Sequence, residues 1–317
     1  MKLLFICDPI KDLNSSKDTS VFLIEKGWAR NFECSTCEPK DVILKNVNNK
    51  NLVYVRTLLL KPPKEKNTGI WYEVVKEEIL NISTFDFVLI RKDPPFDVNY
   101  NNLTLLLDFA EKEGVKILNS PKAIRNNNEK LSIFNFPAYI AQTVISANKN
   151  DLIDFSKSFS SVVFKPLNEM GGKNVFITKN SDINISNIVD NLTNMGVTKI
   201  VAQEFIPEIT KGDKRILIIN GKPVKNSLTR IPREGSLIAN LAAGGTAQVE
   251  TLSKREKEIA NDVGKSLASD GLFLIGIDII GDKLTEINIT SPTGFREISK
   301  FSQLNIEDLF FSELIKL

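Results

Sequence analysis

The chain has 317 residues, of which 42% are hydrophobic and 25% charged, and its net charge is +2. That length suits two or three domains with substantial cores, and that balance belongs to a soluble globular protein with no pull toward nucleic acid or membrane. Histidine is absent, which removes histidine triads, histidine general bases and histidine metal sites.

Met1-Lys2 leads into LLFIC, and Asp8-Pro9 ends that run with no small-residue cleavage site behind it. The pattern predicts a buried first strand at 2–7 and no signal peptide. A helix is expected over about 19–30, with Phe22, Ile24 and Trp28 on its apolar stripe, and strands near 32–36 and 52–56. Strand, helix, strand is the signature of an open α/β sheet. The cysteines are Cys7, Cys34 and Cys37. Cys34 and Cys37 have C-x-x-C spacing, but no second pair completes a zinc site, so they read as incidental thiols in a reducing cytoplasm. A redox switch is the minor alternative.

A further strand, 85–91, ends in Arg91-Lys92-Asp93-Pro94-Pro95. Cations at the carboxyl end of a strand fit the general ligand position of open sheets, and the two prolines stiffen the loop. A solvated strand end with a local ion pair explains them equally well. A helix over about 100–113 and a short strand at 115–118 follow. Ser120-Pro121 then opens a helix expected to carry Lys130 and to fade near 136–137. The domain boundary falls here.

Strand 161–165 closes on Lys165 beside a loop with Gly171-Gly172, and a strand resumes at 175–177. A lysine next to glycines suits phosphate, because glycines let backbone N–H groups approach oxygens. A plain hairpin turn accounts for the glycines as well. A helix over about 183–195 precedes strand 199–203, which runs into Glu204-Phe205-Ile206. Strand 213–219 places Asp213 and Arg215 on one face if Asp213 is already extended, Asn220-Gly221 makes a turn, and a short strand reaches Arg230; the two arginines could flank a transferred phosphate or form surface salt bridges. Residues 231–245 form a long loop with Gly235 and Gly244-Gly245 as hinges and apolar Leu237, Ile238 and Leu241, read as a cover over a site. Ser253-Lys254-Arg255-Glu256 is a capping box for a helix that aligns Ile259, Val263 and Leu267. A last helix is expected over 305–316.

The most informative stretch is GIDIIGDKLTEINITSPTGFR at 276–296. It reads as two strands turning at Gly281-Asp282. Glu286 and Asn288 are two apart and share a face. Asp278 joins them if the loop has three residues, 281–283, and this is the reading adopted; a two-residue loop puts Glu286 on the opposite side. The three oxygen-bearing side chains would suit Mg²⁺ rather than zinc.

These residues, with DPI at 8–10, KDTS at 17–20, RKDPPFD at 91–97, NEK at 128–130, KP at 165–166, MGG at 170–172, KGDKR at 211–215 and NLAAGG at 240–245, closely resemble the bacterial glutathione synthetases of the ATP-grasp superfamily over nearly the whole chain. The resemblance implies an α/β ATP-grasp fold with an amino-terminal open parallel-sheet domain. The parts would be 1–120 (substrate side), 121–200 (ATP-grasp lid) and 201–317 (catalytic). It implies ATP-dependent ligation of γ-glutamylcysteine to glycine through an acyl phosphate. Another ATP-grasp carboxylate–amine ligase is the alternative, and a non-catalytic nucleotide-binding protein is a more distant one. By the resemblance, Lys130, Lys165, Gly171 and Gly172 would meet ATP phosphates, Gln203, Glu204, Phe205 and Ile206 the adenine, and Asp213 the ribose or nucleotide. Arg215 and Arg230 would stabilise the transferred phosphoryl group. Asp278, Glu286 and Asn288 would hold two Mg²⁺ ions, with Mn²⁺ as a substitute. The 291–294 loop and Arg296 would border the acceptor site. A cytoplasmic homo-oligomer, a homotetramer by the family's habit, is expected. One departure stands out: Ile238 occupies a loop position where the family commonly has arginine, and Arg233 is the neighbouring cation.

Overall fold

The strands fall into three sheets that follow one another along the chain; the computed structural model describes every residue except 66–68, 170, 234, 236–238, 240–243 and 303. The first sheet contains β1 (Lys2–Cys7), then α1 (Thr19–Trp28), β2 (Glu33–Cys37), β3 (Val42–Val47), β4 (Lys50–Lys61), β5 (Glu73–Asn81), β6 (Phe87–Arg91), α2 (Val98–Lys112) and β7 (Ile117–Leu118). Its order is β3-β4-β2-β1-β6-β7, with β5 on β4. The strands β2-β1-β6-β7 run parallel. LLFIC and FVLI are apolar on both faces, so both faces can be covered. The expected parallel sheet is extended by an antiparallel ribbon of β3, β4 and β5. β5 reads EVVKEEILN and buries none of its residues, so no apolar alternation marks it in the sequence.

Asp18 caps α1 by accepting the Val21 N–H at 2.9 Å, and Asp97 caps α2 by accepting the Tyr100 N–H at 2.8 Å. Pro121 opens the short helix α3 (Pro121–Asn126), but the Ser120 side chain makes no capping bond to it. The shortness of α3 corrects one expectation: Lys130 is not on a helix. Asparagine side chains compete for backbone partners. Asn127 Nδ2 donates to Ala123 O at 2.9 Å, and Asn128 Oδ1 accepts the Lys130 and Leu131 N–H groups at 3.0 and 3.1 Å. Lys130 therefore sits on an asparagine-stabilised turn beyond the helix.

The second sheet has β8 (Thr143–Ser146), β9 (Ser161–Pro166), β10 (Phe176–Lys179) and β11 (Ile200–Glu204), ordered β10-β9-β11-β8. Helices α4 (Lys149–Lys157) and α5 (Ile185–Leu192) cover one face. There Val162, Phe164, Ile200 and Ala202 meet Leu152 and Val189 in a separate core. Strand alternation sends Val163, Lys165, Val201 and Gln203 to the other face.

The third sheet has β12 (Asp213–Ile219), β13 (Lys222–Pro223), β14 (Asn226–Ile231), β15 (Thr246–Thr251), β16 (Leu274–Ile280) and β17 (Lys283–Asn288). Its path is β15-β14-β12-β16-β17, all antiparallel, with β13 on β12. α6 (Lys254–Ser269) starts with the capping box and buries Ile259, Val263 and Leu267 against this sheet. An unexpected helix, α7 (Phe295–Ser302), follows the 291–294 loop, and α8 (Ile306–Ile315) ends the fold. The first and third sheets share apolar clusters, Leu4 and Ile90 with Ile216 and Ile277 in one, Leu3 and Phe5 with Leu217 and Phe310 in the other. No described helix is long and apolar enough to cross a membrane.

Candidate active site

The β16–β17 hairpin turns on two residues, because Ile280 pairs with Lys283 across Gly281-Asp282. The three-residue loop expected from the sequence is therefore wrong. The alignment it was meant to explain is nevertheless present. Asp278 pairs with Glu286 and Gly276 with Asn288, because a bulge between Asp278 and Ile279 makes Thr285 an extra residue on β17. Thr285 Oγ1 donates to Asp278 O at 3.1 Å and pins the bulge. Asp278, Glu286 and Asn288 thus face one side.

β12 and β14 bring the arginines to the same face. Arg215 lies across from Asp278, and Asp213 lies across from Arg230 of β14. Arg215 donates to Asp278 through Nε at 2.5 Å and Nη2 at 3.0 Å, and Arg230 Nη2 is 3.0 Å from the same carboxylate. Arg230 also donates to Asp213. Burial alone would raise the Asp278 pKa, but the two guanidinium groups outweigh it and hold the carboxyl well below the usual range. Asp213 behaves oppositely. Burial, reinforced by Asp278, pushes it up to about 6 despite Arg230. Burial opposes the Arg230 charge too, but Asp213 and Asp278 outweigh it and raise its pKa.

Lys130 is 6% exposed, and its ammonium donates to Glu169 O at 2.6 Å and lies 3.2 Å from Glu286. It thereby joins the 167–169 loop of the second sheet to the carboxylate face of the third. Lys165 donates to Gln203 Oε1 at 3.2 Å, and desolvation lowers its pKa against the pull of Glu286. Gly171 and Gly172 have φ of 73° and 78°, a conformation that side chains resist. They lie in the connection between paired strands β9 and β10, so the hairpin reading and the cleft-lining reading describe the same turn. Lys130, Lys165, Gly171, Gly172, the run Gln203 to Ile206, Asp213, Arg215, Arg230, Asp278, Glu286 and Asn288 all line one cleft between the second and third sheets.

A second cleft lies on the other side of the arginines. Arg215 and Arg230 line it with Asp18, Asp93, Thr293 and Gly294. Arg296 is turned away from it, donating to Glu25 at 2.7 Å and lying over the Phe22 ring. The two cations at the end of β6 separate. Lys92 forms an ion pair with Asp8 at 2.9 Å. Arg91 is 4% exposed and donates to Ser20 Oγ at 3.2 Å and Pro292 O at 3.1 Å, tying the first sheet to the 291–294 loop. The cysteines are free and buried, and desolvation raises all three thiols, Cys34 to about 12, which leaves none of them reactive. Leu237, Ile238 and Leu241 of the expected cover lie outside the described residues, as does Asn240; Arg233 is exposed, and Ala239 is buried and lines the first cleft.

The residues fit a hard cation and a polyanion. The three aligned groups offer only oxygen donors. Asn288 Nδ2 donates to Gly276 O and Asp278 Oδ2, both at 3.2 Å, which leaves its amide oxygen as the free end. Asp213 Oδ1 and Arg230 Nε are buried without a hydrogen-bond partner among the described residues, and such groups are costly unless a ligand completes them.

Sequence reasoning missed Glu129. Its backbone carbonyl accepts the Ile287 N–H at 2.9 Å, and its carboxylate accepts from Thr290 Oγ1 at 2.9 Å and the Ile289 N–H at 3.3 Å. Burial and the nearby Glu286 raise its pKa. It fastens the Lys130 turn along the edge of β17. An acidic residue beside a candidate lysine was the only signal available.

The chain matches two family models, "Prokaryotic glutathione synthetase, N-terminal domain" over residues 1–125 and "Prokaryotic glutathione synthetase, ATP-grasp domain" over residues 129–303. It is 42% identical over 314 residues to a glutathione synthetase of Nitrosomonas europaea, covering 99% of this chain and 97% of that one. It is 39% identical to a glutathione synthetase of Buchnera aphidicola, covering 100% and 97%. Among solved structures it resembles D-cycloserine synthetase, with a TM-score of 0.64, 13% identity and coverage of 99% of both chains. It also resembles D-alanyl-alanine synthetase A from Vibrio cholerae, with a TM-score of 0.62, 15% identity and coverage of 99% and 97%. The last two likenesses are of fold.

Proposed function

The chain belongs to the prokaryotic glutathione synthetase family of ATP-grasp ligases, and from that premise we propose that it joins γ-glutamylcysteine to glycine, converting ATP to ADP and phosphate. The observation that carries the reading is that Arg215 and Arg230 line both clefts. The nucleotide occupies the first cleft and the dipeptide the second, so that the γ-phosphate and the cysteinyl carboxylate meet at the arginines.

A carboxylate oxygen attacks the γ-phosphorus. The bond to the bridging oxygen breaks, and ADP leaves with its electron pair. Arg215 and Arg230 are already held by Asp278 and Asp213, so they stabilise the spreading oxygen charge without reorganising. The free amine of glycine then adds to the acyl carbon, gives up a proton, and phosphate departs. Lys130 and Lys165 hold phosphate from opposite sides of the cleft, and the Gly171-Gly172 backbone closes over it. Gln203 to Ile206 face the adenine, and Asp213 the ribose. Asp278, Glu286 and Asn288 would hold two Mg²⁺ ions, or Mn²⁺ in their place, which supply further neutralisation of phosphate charge.

Within the same proposal, residues 1–120 form the substrate side, 121–200 the lid and 201–317 the catalytic part. The separate core under the second sheet supports a lid that moves as one body. A cytoplasmic homotetramer completes the proposal. The acyl phosphate is tested by replacing glycine with hydroxylamine in the presence of ATP, Mg²⁺ and γ-glutamylcysteine. The dipeptide hydroxamate should form together with ADP. Glutathione formation with glycine but no hydroxamate with hydroxylamine would contradict the intermediate.

A further inference from the structure

The face of the second sheet that looks into the cleft carries a chain of three side chains, only two of which line the cleft. Thr143 pairs with Gln203 between β8 and β11, and Gln203 is 3% exposed. Thr143 Oγ1 donates to Ala141 O at 2.9 Å. A hydroxyl has a single proton to give. With that proton committed, Oγ1 faces Gln203 only as an acceptor, and it takes the Gln203 Nε2–H at 2.9 Å. The amide can then present only its oxygen on the other side, and that oxygen accepts from Lys165 Nζ at 3.2 Å. Had the amide turned over, its NH₂ would face the Lys165 ammonium, donor against donor, and its oxygen would face a hydroxyl with no proton left.

We propose that Thr143 is a positioning residue: through Gln203 it fixes Lys165 in the orientation in which it grips nucleotide phosphate. The inference rests on the reading that Lys165 holds phosphate. A lysine at this desolvated wall needs a dedicated acceptor to stay aimed, and the amide oxygen supplies it without adding a negative charge that would repel the phosphates. Thr143 itself does not line the cleft, so it would act on a bound phosphate only through Gln203 and Lys165.

The test is calorimetric titration of the full chain with ATP and with adenosine, using Thr143→Val, Thr143→Ser and Lys165→Met. Valine matches threonine in shape and suits a strand, but it leaves the buried Gln203 N–H without its acceptor, so the variant should fold with a melting temperature a few degrees below that of the wild type. If Thr143→Val does not fold, Thr143→Ala takes its place. Thr143→Val should weaken ATP about tenfold, the scale of one charge-assisted hydrogen bond. Adenosine, which has no phosphate, should lose much less affinity than ATP, since only the adenine-facing run that Gln203 begins could feel the change, and Thr143→Ser, which keeps the hydroxyl, should restore ATP affinity. Wild-type ATP affinity in Thr143→Val alongside a weakened Lys165→Met would overturn the positioning role alone. Equal losses for ATP and adenosine would also overturn it, since they would report general disturbance of the cleft. Wild-type ATP affinity in Lys165→Met would overturn the phosphate reading on which the inference stands, and the inference with it.

Discussion

Asp278 stands across the β12–β16 ladder from Arg215 and receives two hydrogen bonds from its guanidinium, at 2.5 and 3.0 Å. Arg230 approaches the same carboxylate to 3.0 Å. A single buried carboxylate thus compensates much of the charge of two buried cations, and removing one member of such a set costs about 3–5 kcal/mol. Asp278→Asn should lose stability on that scale in urea unfolding, with ligation abolished. A change below about 0.5 kcal/mol, the size of a surface substitution, would show that the arginines do not depend on it.

Asp213 offers a pH signature. Its folded pKa of about 6 lies above the unfolded value of about 3.9. Between those values the folded chain binds more protons than the unfolded one. The contribution to stability is therefore full below about 4 and is lost as pH rises through about 6. The wild type should gain about 1 kcal/mol relative to Asp213→Asn on going from pH 7 to pH 5, measured as the difference of the two denaturation curves at each pH. A difference that does not change with pH would contradict the raised pKa.

Gly276 leaves room for an arginine. A Cβ there would lie 3.0 Å from Arg215 Cδ and 3.0 Å from Pro292 Cβ. Overpacking of this kind costs about 1–3 kcal/mol, and at this position the displaced atoms belong to a proposed catalytic side chain. Gly276→Ala should lower kcat about tenfold or more, through a barrier increase of about 1.4 kcal/mol, while the chain still folds. Wild-type kcat would mean that Arg215 can shift without consequence.

Lys130 and Glu286, 3.2 Å apart, should behave as a coupled pair. Glu286→Gln should reduce turnover at least about a hundredfold, in line with loss of a key electrostatic contact, and should raise the Mg²⁺ concentration needed for half activity. Chelation of Mg²⁺ should abolish activity, and Mn²⁺ should restore it. In unfolding experiments the losses from Lys130→Met and Glu286→Gln should be non-additive by about 0.5–3 kcal/mol. Additive losses would place the two groups out of contact in solution.

Much of this arrangement is legible in the letters. The bounds of β12 match the expected 213–219, and the capping box at Ser253 behaves as read, because a short apolar run stopped by an Asn-Gly turn and capping chemistry are local signals. The bulge at Thr285 is not legible. It has the same consequence for facing as an extra loop residue, and sequence patterning reports facing only. β3 and β5 escape notice because β3 buries only Val42 and β5 buries nothing, so neither carries an apolar alternation, and α7 is hidden behind the Ser291-Pro292-Thr293-Gly294 run. Lys130 reads as a solvated helical lysine, since its burial depends on contacts with residues 169 and 286, far away in the chain. The ends of Asp278 already taken by Arg215 and Arg230 are likewise a matter of tertiary register.

The most direct measurement is ADP release with γ-glutamylcysteine, glycine and Mg²⁺, each omitted in turn, with the product identified by mass. ADP and glutathione should appear in equal amounts when all are present. Omitting Mg²⁺ or the dipeptide should abolish both, and alanine or glutamate in place of glycine should support little turnover. ADP release that ignores the dipeptide, or faster ligation of another peptide or amine, would contradict the assignment.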